Sequence, residues 1–290
     1  MPTPRTGIHP PVSALTSAYS RLTGVLPEFT VTELAPEQPA PSGDGWTGAA
    51  DLAAAGPGLD AFLAWDEDQI LRDYGTPARP DVVASFGLHR YAWPACLLFT
   101  VPWFLERRVP RLPVHHVTYR RTEGAWAVRT GAFACLPDDP AAHRPEARVV
   151  PDEEALRAEV RAAVAEHLEP VLGAFGPRMR RRGRALWGMA TDEITESLWY
   201  VGELLGGIEE QRAIRELELL LPGTTRPYAG SAGFRELDGP KGELLPTRDR
   251  ITCCLSYTLR PGDPELMCDT CPRAHADERV QRLLASAAAS

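Results

Sequence analysis

Asparagine is absent from this chain of 290 residues, and lysine occurs once, as Lys241, against 30 arginines. Because the codons of both residues are rich in adenine, this composition indicates a GC-rich genome, and we expect a bacterial protein. Proline is the opposite case, since its 28 residues are about twice the average share. We attribute that excess to the same codon bias and to a chain with many loops.

Long apolar segments are also missing. The longest apolar stretch, residues 92–105, is interrupted by Pro94 and Pro102, and it is shorter than the roughly 20 residues that span a bilayer. The first eleven residues have no apolar core of the kind found in signal peptides. We therefore expect a soluble, cytoplasmic protein without a membrane span, in which cysteine thiols stay reduced.

Positive charge is scarce, since 31 basic residues face 39 acidic ones and the formal net charge is −8. This balance argues against a protein that binds nucleic acid or a membrane surface. A Gly-x-Gly-x-x-Gly fingerprint after a predicted strand is missing, so we expect no built-in nicotinamide site. A Gly-x-Ser-x-Gly elbow is missing too, so nothing supports a serine hydrolase.

Hydrophobic periodicity predicts helix for most of the chain. Between residues 152 and 175, for example, apolar residues recur every three or four positions. Pro170 is expected to kink or split that helix, and Gly176 with Pro177 to end it. The predicted helices cover residues 12–22, 59–74, 81–105 with a break near Pro94, 152–175, 185–206, 209–221 and 277–288.

A β-hairpin is predicted in the middle of the chain. Residues 114–119 and 126–133 are rich in β-branched and aromatic side chains, and the polar turn between them contains Gly124. Proline and glycine mark residues 35–45 and 222–249 as loops. The sequence therefore predicts a helix-rich α+β fold with a small antiparallel sheet.

Two regions are predicted along the chain. A helical and hairpin region at 1–150 precedes a helical region at 151–290, and the alternative is one compact domain. The second region contains a cysteine-rich segment at 248–275, which is the most informative part of the sequence.

The six cysteines divide into two groups. Two of them stand alone among apolar neighbours, so Cys96 and Cys135 are predicted to be buried core thiols. The other four lie within 19 residues near the end of the chain and are Cys253, Cys254, Cys268 and Cys271.

Four clustered thiols in a reducing compartment suggest a metal centre. A tetrahedral zinc site is one interpretation, but zinc sites usually separate the cysteines of each pair by two to four residues, and Cys253 and Cys254 are adjacent. A 2Fe–2S cluster also uses four cysteine thiolates, and its two iron ions accommodate an adjacent pair more easily. The remaining alternative is a set of unrelated thiols or a redox-sensing pair.

The cysteine segment resembles a known signature. Residues 250–257, Arg-Ile-Thr-Cys-Cys-Leu-Ser-Tyr, followed by Cys268-x2-Cys271-Pro272, are similar to the C-terminal motif of the FhuF-like ferric-siderophore reductases. Residues 184–188, Arg-Ala-Leu-Trp-Gly, are similar to an element that opens a helix in that family. The spacer between the two cysteine pairs has thirteen residues instead of the family's usual ten, and lengthening a loop costs little closure entropy.

The resemblance implies a function. All four cysteines would hold a 2Fe–2S cluster that delivers one electron to siderophore-bound Fe(III), and Fe(II) would then leave because oxygen donors hold it far less tightly. The expected substrate is a ferric siderophore, of the hydroxamate type, and the expected electron donor is a separate ferredoxin or flavin reductase. The alternative function is a non-enzymatic zinc or iron–sulfur accessory protein.

Further residues are candidates around the cysteines. The basic run at 178–184 could hold an anionic or oxygen-rich ligand, and Arg181 and Arg184 are its candidate contacts, or it is an exposed charged face. Trp187 is either a pocket wall or core. Residues near the cysteines that could tune the cluster are Arg250, Thr252, Ser256 and Tyr257. Arg250 is also a candidate substrate contact.

The adjacent histidines His115 and His116 lie in a predicted strand, where only one of the two can face inward. The sequence nearby has no cysteine or carboxylate at metal-ligand spacing. We therefore expect a structural role for both.

Overall fold

The computed structural model describes residues 13–260, 263 and 267–289, and helix predominates over strand in them. The predicted helix-rich α+β class is confirmed. Val12, where the first predicted helix begins, and residues 261, 262 and 264–266 of the long cysteine spacer lie outside the described residues. The helices are α1 (Thr16–Val25), α2 (Ala49–Ala53), α3 (Pro57–Tyr74), α4 (Pro80–Glu106), α5 (Glu153–Met179), α6 (Arg184–Leu205), α7 (Gly207–Leu220) and α8 (Ala276–Ala289).

Helix α4 is central, since it is buried along most of its length and packs against α5 and α6. The predicted break near Pro94 is wrong, because α4 continues through both Pro94 and Pro102. A proline leaves the carbonyl four residues earlier without its helical donor. For Pro102 that carbonyl belongs to Leu98, and it accepts a hydrogen bond from the Tyr19 hydroxyl at 3.0 Å instead.

Helix α5 begins where the sequence predicts and ends later. The Asp152 side chain accepts a hydrogen bond from the Ala155 amide at 2.8 Å and caps its first turn. The helix is not split at Pro170, and the predicted end at Pro177 is wrong because it continues to Met179. Arg180 then adopts a left-handed conformation with φ of 54° and ends the helix.

The main sheet has four strands in the order β1 (Thr30–Glu33), β5 (Ala125–Val128), β4 (Val117–Arg120) and β2 (Trp46–Gly48). Strands β4 and β5 form the predicted hairpin, but β1 pairs with β5 in parallel, so the sheet is mixed and not purely antiparallel. Residues Val114–His116 form a 3₁₀ turn, so placing the two histidines in a strand is wrong.

Gly124 makes this sheet possible. It closes the turn between β4 and β5 with φ of 59°, and a side chain there would place its Cβ 1.8 Å from the carbonyl oxygen of Glu28. Only glycine allows that approach, which brings the chain before β1 alongside the hairpin.

A second sheet contains β3 (Arg108–Pro110), β6 (Phe133–Cys135) and β7 (Ala147–Val149). Phe133 therefore belongs to this sheet, and the second strand of the predicted hairpin ends at Val128. Cys135 in β6 and Cys96 in α4 are both buried, as the sequence predicts.

Residues 222–249 contain two hairpins, so the prediction of a loop there is wrong. Strands β8 (Pro222–Gly223) and β9 (Gly230–Ser231) form the first. Strands β10 (Phe234–Asp238) and β11 (Leu244–Arg248) form the second, in which the buried Leu237 and Leu245 lie opposite each other. The burial of these two leucines stabilises the hairpin despite the many glycines and prolines around it.

Residues 43–48, Gly-Asp-Gly-Trp-Thr-Gly, have the Gly-x-Gly-x-x-Gly spacing of a dinucleotide site. Residues 43–45 form a turn, residues 46–48 are the edge strand β2, and the five-residue α2 follows directly. A dinucleotide fingerprint needs the string between a buried strand and a long helix, and this arrangement differs from it.

One apolar cluster reaches from Leu15, just before α1, to Ala232 after β9 and includes side chains from α4, α5, α6 and α7. The cysteine-rich segment and β10 lie along α6, where Asp192 accepts from Thr252, Glu196 accepts from Thr270 and Trp199 packs against Phe234. The division of the chain near residue 150 stays a prediction.

Candidate metal centre

The four C-terminal cysteines lie in two loops. Cys253 and Cys254 follow β11 and precede a 3₁₀ turn at Ser256–Thr258, whereas Cys268 and Cys271 precede α8. Cys271 is buried, the other three are half-buried, and all four are free thiols. We call these four residues the cysteine site.

The loop that contains Cys253 and Cys254 lies next to the loop that contains Cys268 and Cys271, and their thiols interact. The Cys254 thiol interacts by hydrogen bonds with the thiols of Cys253 and Cys268, and Cys271 acts on those two through its charge. These bonds hold the pKa of Cys254 far below its usual range and raise the pKa of Cys253 and of Cys268.

In the described residues, the side chains of the cysteine site are not arranged around a common metal position. Over residues 13–260, 263 and 267–289, no group of three or more histidine, cysteine, aspartate or glutamate side chains is arranged to hold a metal ion. The sulfur contacts centre on Cys254. The assignment of all four cysteines as ligands stays a prediction.

The backbone after the adjacent pair turns sharply. Leu255 is left-handed with φ of 70°, and its N–H donates to the Cys253 sulfur at 3.4 Å. The Ser256 hydroxyl lies 3.3 Å from the Cys254 sulfur. The second pair is held by a tight turn in which the Cys271 N–H donates to the Cys268 carbonyl at 3.0 Å. Donors at sulfur stabilise thiolates.

Asp192 in α6 holds the chain that leads to the first pair. It is fully buried and accepts from the Arg248 guanidinium at 2.7 Å and from the Ile251 amide at 3.0 Å. It also accepts from the Thr252 amide at 2.8 Å and the Thr252 hydroxyl at 2.7 Å. A buried carboxylate with four donors is satisfied, and it fixes the position of residues 248–252.

Glu196, one turn further along α6, joins the two cysteine loops. Its carboxylate accepts from the buried Arg248 at 2.6 Å and from the Thr270 hydroxyl at 3.1 Å. Arg248 precedes Cys253, and Thr270 lies between Cys268 and Cys271. One side chain thus sets the distance between the two pairs.

Arg250 brings a positive charge to the site. Its guanidinium lies 3.8–3.9 Å from Asp192, Glu193 and Glu196, and its Nε has no hydrogen-bond partner. Burial lowers its pKa, but the three carboxylates outweigh burial and raise it. Its charge also lowers the pKa of Cys268, although the hydrogen bond that Cys268 donates to Cys254 dominates there and raises it.

His89 in α4 is linked to the same carboxylates. Its Nδ1 lies 2.7 Å from the buried Glu193. Burial lowers the pKa of His89, but the charge of Glu193 and this hydrogen bond outweigh burial and raise it. Cys254 adds to that effect, so the imidazole lies within electrostatic reach of the cysteine site.

Gly188 is the glycine of the segment 184–188, and it allows close packing between α6 and the cysteine loop. A Cβ at this position of α6 would lie 2.8 Å from Cγ2 of Ile251 and 3.0 Å from Cγ2 of Thr252. Glycine therefore lets the helix lie directly against the chain before Cys253.

The predicted substrate residues separate into two groups. Arg181 donates to the Cys253 carbonyl at 2.7 Å and approaches the Met189 sulfur at 3.2 Å, and Arg250 is buried as described above. By contrast, Arg184 is exposed at the start of α6. Trp187 packs edge-on against Tyr228, with ring centroids 5.4 Å apart. The first two therefore support the cysteine site, and substrate contact stays a prediction for all four.

The residues suggested to tune the site also differ. Ser256 contacts a cysteine sulfur, Thr252 instead bonds Asp192, and the Tyr257 ring lies under the Arg273 guanidinium at 4.6 Å.

Sequence reasoning missed the acidic residues of α6 together with His89 and Arg248. The available signal was Asp192-Glu193-x-x-Glu196, since three carboxylates interrupt a stripe of apolar residues that is otherwise regular. Acidic residues on a buried helix face require cationic or hydrogen-bonding partners.

The sequence matches no protein-family model, and no curated protein is significantly similar to it. In the part of the chain that the structure describes, no helix has both the length and the apolar character needed to cross a membrane.

Proposed function

We propose that this protein is a ferric-siderophore reductase with a 2Fe–2S cluster held by Cys253, Cys254, Cys268 and Cys271. The observation that carries the proposal is the contact of the Cys254 thiol with both Cys253 and Cys268. Two loops separated by thirteen residues meet there, so all four soft donors come from one small region.

The donor set fits this cofactor. Four cysteine thiolates are the usual ligands of a 2Fe–2S cluster. The Leu255 amide and the Ser256 hydroxyl already lie at sulfur atoms of the first pair. When bound, such a cluster carries one electron between a reduced protein donor and a ferric ion.

The residues around the site have separate roles in this proposal. Asp192 and Glu196 position the two loops, and the Arg250 charge offsets part of the negative charge on four thiolates. A cation close to a cluster favours its reduced state and raises its potential. Half-buried cysteines leave an accessible edge through which an electron can enter and leave.

The release of iron follows from coordination chemistry. Fe(III) is a hard ion that hydroxamate oxygens bind tightly, whereas Fe(II) binds them far more weakly. One electron supplied by a separate reduced ferredoxin or flavoprotein is therefore sufficient, and the siderophore is not cleaved.

Anaerobic purification followed by iron, sulfide and zinc analysis tests the cofactor. We expect two iron and two sulfide per chain and a visible absorption that dithionite bleaches. Cys253→Ser and Cys268→Ser should each remove this absorption, whereas Cys135→Ala, which alters a buried thiol of β6, should keep it. A colourless protein with one zinc per chain would support the accessory-protein alternative.

The reaction is tested with the dithionite-reduced, desalted protein and a ferric trihydroxamate, with a ferrous chelator as the reporter. We expect about one ferrous ion trapped per reduced cluster. Trapping no faster than without protein would show that the site binds a cluster without reducing siderophores.

A further inference from the structure

The basic run at 178–184 concentrates positive charge at the junction of two helices. Five of its seven residues are arginine, although the whole chain has 39 acidic residues against 31 basic ones. The run contains the end of α5, the turn after it and the first residue of α6. An arginine cluster of this density attracts anions, which come either from this chain or from a partner.

Two of the five arginines are occupied within the chain. Arg178 pairs with Asp60, and Arg181 donates to the Cys253 carbonyl at 2.7 Å. The other three are exposed, and within residues 13–260, 263 and 267–289 none of them forms an ion pair. They are Arg180, Arg182 and Arg184. Three guanidinium groups are therefore available to a partner.

The backbone holds these three arginines on one fixed turn. Arg180 is left-handed with φ of 54°, and the Arg181 N–H donates to the Gly176 carbonyl at 3.0 Å. The Arg182 carbonyl accepts from the Ala185 N–H at 3.1 Å. Because the turn is ordered by its own hydrogen bonds, little backbone entropy is lost when a partner binds.

The basic run borders the cysteine site. The Arg181 guanidinium bonds the carbonyl of Cys253, which is half-buried. Arg184 lies one helical turn before Gly188, on the same face of α6 and about 6 Å along its axis. Gly188 lies against Ile251, since a Cβ on it would be 2.8 Å from that side chain. A protein bound to the run would therefore lie against the half-buried edge of the cysteine site at Cys253.

Local charge selects how a partner approaches. At physiological ionic strength, interactions between exposed charges reach only about 8 Å, so the charges at the contact matter more than the net charge of −8. An acidic partner is repelled where carboxylates predominate and attracted at the basic run. Complementary charge of this kind speeds association and fixes the orientation of a complex.

We propose that the basic run is the docking surface for an acidic protein that carries a single electron, and that docking places this carrier beside Cys253. The inference rests on the proposed function, in which a separate reduced protein supplies the electron, and it adds the surface and the charge of that protein. It assigns Arg180, Arg182 and Arg184 to partner binding and not to the siderophore.

The redox step balances with one electron. The reduced carrier loses this electron and the oxidised cofactor of the cysteine site gains it, and no bond forms or breaks. No other oxidant or reductant is required. The oxidised carrier must then leave, and exposed charges suit this exchange because they affect the rate of association more than the lifetime of the complex.

The test measures binding without electron transfer. The protein as purified, with its cofactor, is kept oxidised and is titrated with two oxidised acidic probes, a plant-type 2Fe–2S ferredoxin and a flavodoxin. Surface plasmon resonance gives the association rate constant. We expect at least one probe to bind, with a rate constant that falls about tenfold or more as the salt concentration rises from about 0.05 to about 0.5 M.

Charge reversal locates the surface. Arg182→Glu combined with Arg184→Glu should lower the association rate constant about tenfold, and Gln at both positions should lower it less. The matched control combines Arg21→Glu with Arg215→Glu, since both are exposed arginines of other helices and the change in net charge is the same. It should change the rate constant about twofold or less. Iron per chain is measured for each variant, and the Gln pair is used if the Glu pair holds less iron.

The outcomes are separable. Equal slowing in the run variant and the control, no binding of either probe, or binding that does not respond to salt would each overturn the docking proposal. It would also be overturned if the run variant lost binding to vesicles of phosphatidylglycerol and phosphatidylcholine while its carrier binding was unchanged, because the run would then face a membrane.

Failure of the docking proposal is distinct from failure of the proposed function. Slower carrier binding in the run variant alone supports the docking surface even if the protein reduces no siderophore. Reduction of a ferric trihydroxamate by the dithionite-reduced protein, without carrier binding that depends on the run, supports only the proposed function.

Discussion

Asp192 is a residue on which the geometry of the cysteine site depends. Its carboxylate accepts four hydrogen bonds, three of them from Ile251 and Thr252 just before Cys253. The fourth comes from Arg248, which is itself fully buried. Removing the carboxylate would leave a buried guanidinium with fewer partners and the loop with none of these acceptors.

We therefore expect Asp192→Ala to lower the free energy of unfolding by about 3–5 kcal/mol, the usual effect of removing one member of a buried ion pair. Urea unfolding followed by circular dichroism measures it, and the bound iron per chain should fall as well. Asp81→Ala removes a more exposed carboxylate paired with Arg79 and should cost about 1 kcal/mol or less. Equal losses in the two variants would contradict this role of Asp192.

Gly188 gives a second prediction at the residue scale. Gly188→Ala places a methyl group against Ile251 and Thr252 at 2.8 and 3.0 Å, and overpacking of this kind costs about 1–3 kcal/mol. We also expect less cofactor per chain, because the loop before Cys253 must shift. Thermal unfolding and iron analysis report the two effects.

The matched control is Gly173→Ala in α5. A Cβ there has no neighbour within 4 Å, so alanine should stabilise the helix by about 0.5–1 kcal/mol. If Gly188→Ala behaved in the same way, α6 would not lie against the cysteine loop.

At the scale of elements, His167 joins α5 to α4 and to the chain before β4. Its Nε2 lies 2.8 Å from the Tyr91 hydroxyl, and its Nδ1 lies 2.7 Å from the Leu112 carbonyl. Burial lowers the pKa of His167 to about 4, although the bond to Leu112 acts in the opposite direction. The neutral imidazole is therefore the form that fits between these elements.

This burial predicts a pH dependence of stability. In the unfolded chain a histidine has a pKa near 6.5, so between about pH 6.5 and 4 the unfolded state binds the extra proton. The free energy of unfolding should therefore fall as the pH falls, with about 2–3 kcal/mol lost by pH 4.5 through this group. His167→Gln should remove that component in denaturation curves at pH 7 and 4.5. His143→Gln, at an exposed position, controls for loss of a histidine.

The sequence predicts the elements in which apolar residues recur with a clear period. It does not predict elements whose structure depends on packing against residues that are distant in sequence. Helices α5, α6 and α7 lie close to their predicted limits, whereas α4 continues through Pro94 because its packing against α5 and α6 buries most of its length. The hairpin of β10 and β11 was missed, since its stability comes from the burial of Leu237 and Leu245 and not from composition.

The same distinction applies to the candidate site. Spacing alone grouped Cys253, Cys254, Cys268 and Cys271, and the structure brings both pairs into contact. The partners on α6 and α4 lie more than 50 residues away in sequence, so local patterns do not connect them.

At the scale of the whole molecule, the core and the cysteine site are separate. The large apolar cluster runs from Leu15 to Ala232, and within the described residues it takes no member from the four-cysteine site. A chain of this length buries enough apolar surface to fold without a metal. The cofactor should therefore stabilise the two cysteine loops more than the fold.

Replacing all four cysteines of the site by serine tests this separation. We expect circular dichroism to show unchanged helix content and urea to unfold the variant in one cooperative transition. Hydrogen exchange should increase in residues 249–275 and much less in α4 and α5. Leu198→Ala, which alters a fully buried side chain of α6, should instead lower the stability of the entire core by about 2–5 kcal/mol. Loss of helix content in the serine variant would mean that the core requires the metal centre to fold.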